Sequence, residues 1–160
     1  MCFDPNARPS IMGEPAQTLA SIERFIALAD VVKVSDEDIE WLTGGAPVDE
    51  VVDRWLGMGP SLVVVTRGKH GSDVTTASGL RVTKTPGDVA VVDTVGAGDS
   101  FMGGMIDALW GMGLRGAGAR EALRALPEEQ VRAVIDRASA VSDVTVSRKG
   151  ANPPWAHELA

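Results

Sequence analysis

Cysteine is almost missing from this chain. Cys2 is the one thiol in 160 residues, so an internal disulfide is excluded and a reducing, cytoplasmic setting is expected. Long apolar runs are missing too. No stretch approaches the ~18 apolar residues of a membrane-spanning helix. The start, Met1-Cys2-Phe3-Asp4-Pro5-Asn6, lacks the basic and apolar regions of a secretion signal. Positive charge is in deficit. A net charge of −7 argues against a nucleic-acid or anionic-membrane partner. A bound nucleotide would have to be held by local dipoles rather than by a global field. The two histidines, His70 and His157, lack the spacing of a zinc site. No Gly-x-x-x-x-Gly-Lys-Ser/Thr occurs, which excludes P-loop chemistry. The sequence shows no internal repeat and no low-complexity linker.

What is present supports one folded domain, since apolar residues make up 44%. The chain opens on Cys2-Phe3-Asp4, which reads as a strand end without a lead-in, and we expect it to be the second part of a longer fold. A loop with Pro5, Pro9 and Pro15 follows, then an amphipathic helix from about Ala16 to Leu28. Val31-Val32-Lys33-Val34 reads as a short buried strand. Ser35 caps a helix through Trp41 and Leu42, which Gly44-Gly45 stops. Another helix spans about Val48 to Leu56. Leu62–Thr66 is a continuous apolar strand of the kind covered on both faces. Ser72–Thr76 and Leu80–Thr85 read as a hairpin joined at Ser78-Gly79. A strand at Val89–Asp93 and a helix at Gly98–Trp110 come next, then helices near Ala119–Leu126 and Glu128–Val141. Alternating strands and helices imply an α/β fold with a mainly parallel, three-layer sheet.

The segment Asp93-Thr94-Val95-Gly96-Ala97-Gly98-Asp99-Ser100-Phe101 carries the most information. Two glycines between an apolar run and a helix expose backbone N–H groups at the helix N-terminus, where the aligned peptide dipoles attract anions. Asp99 stands beside them, placed to take a proton from an attacking hydroxyl. Anion cradle plus adjacent base suits phosphoryl transfer. The plainer reading of Asp99 is an acidic residue in a helix first turn. The plainer reading of Gly96-Ala97-Gly98 is a tight strand-to-helix turn, which coexists with the cradle. It is not a dinucleotide fingerprint, because Phe101 fills the sixth position where a small residue is needed.

These residues resemble the C-terminal signature of the PfkB, or ribokinase-like, carbohydrate kinases. Phe3-Asp4-Pro5-Asn6-Ala7-Arg8-Pro9 is similar to the Asp-Pro-Asn-x-Arg element of fructokinase-like members. Lys33-Val34-Ser35-Asp36-Glu37-Asp38 is similar to the segment bearing Asn-x-x-Glu. Thr66-Arg67-Gly68-Lys69-His70-Gly71 is similar to the Thr-x-Gly-x-x-Gly nucleotide loop, and Ser147-Arg148-Lys149-Gly150-Ala151 to the family's ending. The resemblance spans nearly the whole chain. It implies a ribokinase-like sandwich whose N-terminal part and lid are missing, with residues 1–160 forming the nucleotide-binding and catalytic portion.

The resemblance further implies ATP and Mg²⁺ as cofactors, with K⁺ in some members, and a sugar, fructose first, as substrate. It implies Asp99 as general base and Gly96, Ala97 and Gly98 as anion hole. Thr66, Gly68, Gly71, Lys33, Ser35, Gly98 and Ala138 would meet the nucleotide. Asp38 would hold Mg²⁺ through water, and Asp93 and Thr94 a monovalent cation. Ser35 and Asp38 replace the family's Asn and Glu, and Ser-x-x-Asp at a helix start is equally a capping pair. Asp93 is equally a strand-end hydrogen-bonding residue, and Asn6 and Arg8 equally a turn and a surface charge. Ala138 and Ala140 suit an adenine wall, whereas Ser142 and Asp143 do not. A homodimer pairing exposed sheet edges stays open. So does a truncated remnant that binds nucleotide, or serves as an interaction module, without phosphorylating a sugar.

Overall fold

Two adjacent strands set the architecture. β2 (Val31–Ser35) and β3 (Leu62–Thr66) each bury four successive residues, as strands covered on both faces must. They pair in parallel from Val31 against Leu62 to Ser35 against Thr66. β1 (Cys2–Phe3) adds a parallel strand beside β2. β4 (Ser72–Thr76) and β5 (Arg81–Lys84) extend the other side as an antiparallel hairpin. The order in the five-stranded sheet is β1-β2-β3-β4-β5. The sheet is therefore mixed, its parallel half confined to the first three strands. The computed structural model describes residues 1–159.

Side-chain alternation along β2 and β3 divides the interior into two cores. Val32, Val34, Val63 and Val65 pack on one face with Ile22, Ile26, Ile39 and Trp55. These partners come from α2 (Pro15–Ile26), α3 (Asp36–Thr43) and α4 (Val48–Leu56). Val31, Leu62, Val64, Val74 and Val82 pack on the other face with Phe101, Met105, Leu109 and Ile135. That layer is built from α5 (Ala97–Gly111), α6 (Ala119–Arg124) and α7 (Glu128–Val146). Gly104 lets α5 and α7 approach, since a Cβ there would lie 2.8 Å from the Ala138 Cα. A short helix, α1 (Pro9–Met12), interrupts the expected loop before α2. Among the described residues no helix is long and apolar enough to cross a membrane.

One expected strand does not form. Residues 85–96 are irregular, and Val89, Val91, Val92 and Val95 are exposed. A strand needs a neighbour to take its backbone groups. Here β5 has ended at Lys84, Pro86 brings no N–H, and the Val92 and Asp93 amides both donate to the Val146 carbonyl, at 2.8 and 3.2 Å. α7 runs on to Val146, beyond the expected Val141, and that extension supplies this acceptor.

Candidate phosphoryl-transfer site

The C-terminal ends of β1, β2 and β3 lie side by side and bring Asp4, Ser35 and Thr66 to one edge of the sheet. Open sheets with parallel strands use this edge for ligands, because loops and helix N-termini converge there. Lys33 leans from β2 toward the α5 layer. A Cβ placed on Gly98 would lie 2.8 Å from its Nζ, so the first turn of α5 sits against the ammonium.

The turn into α5 depends on its glycines. Gly96 is left-handed, with φ 77°, and a Cβ there would meet the Ala151 Cβ at 2.7 Å. Any side chain at 96 would thus be strained twice, by dihedral and by contact. The Ala97 amide donates to the Thr94 carbonyl at 3.2 Å. Asp93 fastens the turn. One of its oxygens accepts from the Val95 amide at 3.0 Å, the other from the Gly150 amide at 2.8 Å. These two bonds, Val95 first, hold its carboxyl below the usual aspartate range. Ser142 adds a tie from α7, its hydroxyl donating to the Ala97 carbonyl at 3.2 Å.

The start of α5 carries no side-chain cap. Among the described residues, the Gly98 and Asp99 amides have no acceptor, so orphan donors remain at this helix end. Asp99 is exposed beside them, in the first turn. Lys33 is only 5% exposed, and its ammonium donates to Asp4 Oδ2 at 2.9 Å. The other Asp4 oxygen accepts the Asn6 amide at 3.2 Å. Asn6 takes a positive φ of 43° to close that small turn.

Ser35 accepts from the Asp38 amide at 3.0 Å and caps α3, so the capping reading of Ser-x-x-Asp describes the hydroxyl. The half-buried Asp38 carboxylate remains at the same edge. Thr66 bonds weakly to the Val34 carbonyl at 3.4 Å. Beyond it a single 3-10 turn, Gly68–His70, is closed by the Arg67 amide on the Gly71 carbonyl at 2.8 Å. Gly71 is sterically obligatory, since a Cβ there would lie 2.0 Å from the Lys84 carbonyl oxygen. The Arg67 guanidinium is engaged by Asp73 at 2.7 Å. Asn6 and Arg8 are exposed.

Ala138 differs from the nucleotide wall expected on α7, and Asp143, which did not suit that wall, has another role. Ala138 is 0% exposed beneath Gly104; its methyl group belongs to the α5–α7 packing and presents no surface to a nucleotide. Asp143 lies against Gly87, whose amide donates to it. Burial raises its carboxyl above the usual range, partly offset by that bond and by Lys84. The pairing of Lys33 with Asp4 escaped the sequence reading. Its signal was Asp-Pro-Asn directly after a strand, a pattern that turns a carboxylate back on its own backbone.

Among the described residues no three His, Cys, Asp or Glu side chains form a metal cage.

Known proteins resemble this chain in sequence and in fold. The family model "pfkB family carbohydrate kinase" matches residues 1–158. The chain belongs to this family. It is 41% identical over 107 residues to a fructokinase from Rhizobium leguminosarum bv. trifolii, covering 67% of this chain and 32% of that protein. Aminoimidazole riboside kinase from Salmonella enterica, complexed with aminoimidazole riboside and an ATP analog, superposes with a TM-score of 0.80 at 28% identity. That match covers 99% of this chain and 50% of the neighbour. A fructokinase double mutant from Vibrio cholerae O395, bound to fructose, ADP and potassium ion, superposes with a TM-score of 0.75 at 29% identity, over 94% of this chain and 45% of the other. This pfkB-family chain thus spans half or less of the length of these relatives.

Proposed function

We propose that this pfkB-family chain carries the nucleotide-binding and catalytic part of an ATP-dependent sugar kinase, with fructose as the leading substrate. The observation that carries the reading is the uncapped start of α5, with the Gly98 and Asp99 amides unpaired and the Lys33 ammonium against Gly98. These donors would bind the γ-phosphoryl oxygens and hold the charge that develops during transfer. Asp99 takes the proton from the attacking sugar hydroxyl. The hydroxyl oxygen bonds to the γ-phosphorus, the bond to the β-phosphate oxygen breaks, and ADP leaves. Ser35, Thr66, Gly68 and Gly71, at the same sheet edge, line the approach of the nucleotide. Mg²⁺, when bound, supplies charge neutralisation on the phosphates, and Asp38 would meet its water shell. Asp93 and Thr94 have lone pairs left for a monovalent cation, although both Asp93 oxygens also fasten the turn.

The test is sugar-dependent ADP release with fructose. Asp99→Asn is expected to lose about 10²–10⁴ in turnover while ATP–Mg²⁺ binding by calorimetry stays near wild type. Undiminished turnover in that variant would remove the base assignment. A second reading is a domain that binds nucleotide without transferring phosphate to a sugar. It is favoured by Ser35, whose hydroxyl is engaged in the α3 cap, and it predicts ATP binding with no sugar-dependent ADP release.

A further inference from the structure

We infer that Asp4 is a built-in stand-in for the phosphoryl group: it holds the Lys33 ammonium at the start of α5 and gives it up when a phosphate arrives. The inference rests on the kinase reading of the site and adds a positioning residue to it.

The start of α5 holds a charge of the unfavourable sign. A helix N-terminus carries partial positive charge and favours anions. Lys33 places a cation there, and almost fully buried, since the residue is 5% exposed. Removing an ammonium from water costs several kcal/mol unless a counter-charge and hydrogen bonds replace the solvent. On its own, the Lys33 ammonium against Gly98 would be an uncompensated buried charge.

Asp4 makes it tenable. Its side chain is 15% exposed, against 6% for Lys33, and the pair meets at 2.9 Å. Asp4 is held in turn by the Asn6 amide, so one oxygen is fixed to the loop while the other faces the ammonium. The groups around Lys33 do not balance. The ammonium, two unpaired amides and the helix dipole are positive or donating, and the half-buried Asp4 is the carboxylate that the ammonium pairs with. Asp99, the other acid of this first turn, is exposed to solvent and makes no ion pair with Lys33. The surplus fits an incoming dianion. A phosphoryl oxygen offers the acceptor that Asp4 Oδ2 now provides, and it can take the Gly98 and Asp99 amides as well. Gly98 is what keeps this place open, since a Cβ there would crowd the ammonium at 2.8 Å.

An ion pair that only stabilises the fold and one that competes with phosphate behave differently on mutation. If Asp4 competes, Asp4→Asn frees the ammonium and tightens binding of inorganic phosphate by about tenfold, within the usual range of coupling between two binding events. Lys33→Met abolishes phosphate binding, and the double variant behaves like Lys33→Met. If the pair is only structural, all three variants melt earlier while phosphate affinity and the phosphate-induced rise in Tm match wild type; that result overturns the inference. Should Asp4→Asn not fold, the wild-type chain carries the test. On titration with inorganic phosphate, the Asp4 carboxyl carbon and the Lys33 Nζ resonances are expected to shift together. A stationary Asp4 signal overturns the inference. Sugar-dependent ADP release by the wild type is scored separately. Turnover with unchanged phosphate affinity in Asp4→Asn removes this inference and leaves the kinase reading, whereas tighter phosphate binding without turnover does the reverse.

Discussion

Two helices start at the same edge of the sheet and are finished in opposite ways. α3 begins with Ser35 capping the Asp38 amide, and Asp36, Glu37 and Asp38 complement the dipole in its first turn. α5 begins with a left-handed glycine, no side-chain cap and a buried ammonium. The first start is satisfied by the chain itself. The second is left short of acceptors, with a cation where an anion would be favourable. The difference teaches that a helix end can be built for stability or for a ligand. The uncapped start of α5 is held in place from outside, by Asp93, Ala151 and Ser142.

Substitutions can break that contrast. Gly96→Ala should cost about 1–3 kcal/mol of stability, the usual strain of a forced left-handed residue, with the Ala151 contact adding to it. Urea unfolding of Gly96→Ala and of Gly96→Ala with Ala151→Gly separates the two terms: the second change should recover only the steric part. Ser35→Ala should cost about 1 kcal/mol, the worth of an N-cap, and should leave the start of α5 untouched. An unfolding midpoint equal to wild type would mean that the cap hydrogen bond contributes nothing.

The smallest expected effect sharpens the comparison through pH. Asp93 and Asp143 flank the α5 start with opposite shifts. Asp93, held low, contributes stability above the ordinary aspartate range and loses it as pH falls through its folded value. Asp143, raised by burial, does the reverse: its contribution is full below the ordinary range and is lost as pH climbs through the raised value. Asp143→Asn keeps an acceptor for the Gly87 amide without the charge. It should therefore be slightly more stable than wild type at neutral pH and lose that advantage in acid. Thermal melts across the acid range check the sign, and a variant less stable at neutral pH would contradict it.

Local chemistry explains which parts were legible beforehand. The Ser35 cap, the Gly44 stop and the limits of β3 follow from near neighbours in sequence, and the structure reproduces them. Val89–Asp93 has strand-like composition, but no neighbouring strand takes its backbone. Ala138 has the right size for a ligand wall, yet its burial is decided by Gly104, on another helix. The Asp4–Lys33 pair joins residues 29 positions apart, and only the parallel register of β1 on β2 brings them together. In the site, the glycines and Asp99 could be read from one contiguous motif. The ammonium set against them could not be placed without the sheet.

The most direct measurement is a titration of the full chain with inorganic phosphate, followed by amide NMR at both helix starts. Saturable shifts of the Gly98 and Asp99 amides are expected, with the Glu37 and Asp38 amides at rest. Equal shifts at both starts, or none at Gly98 and Asp99, would contradict that expectation.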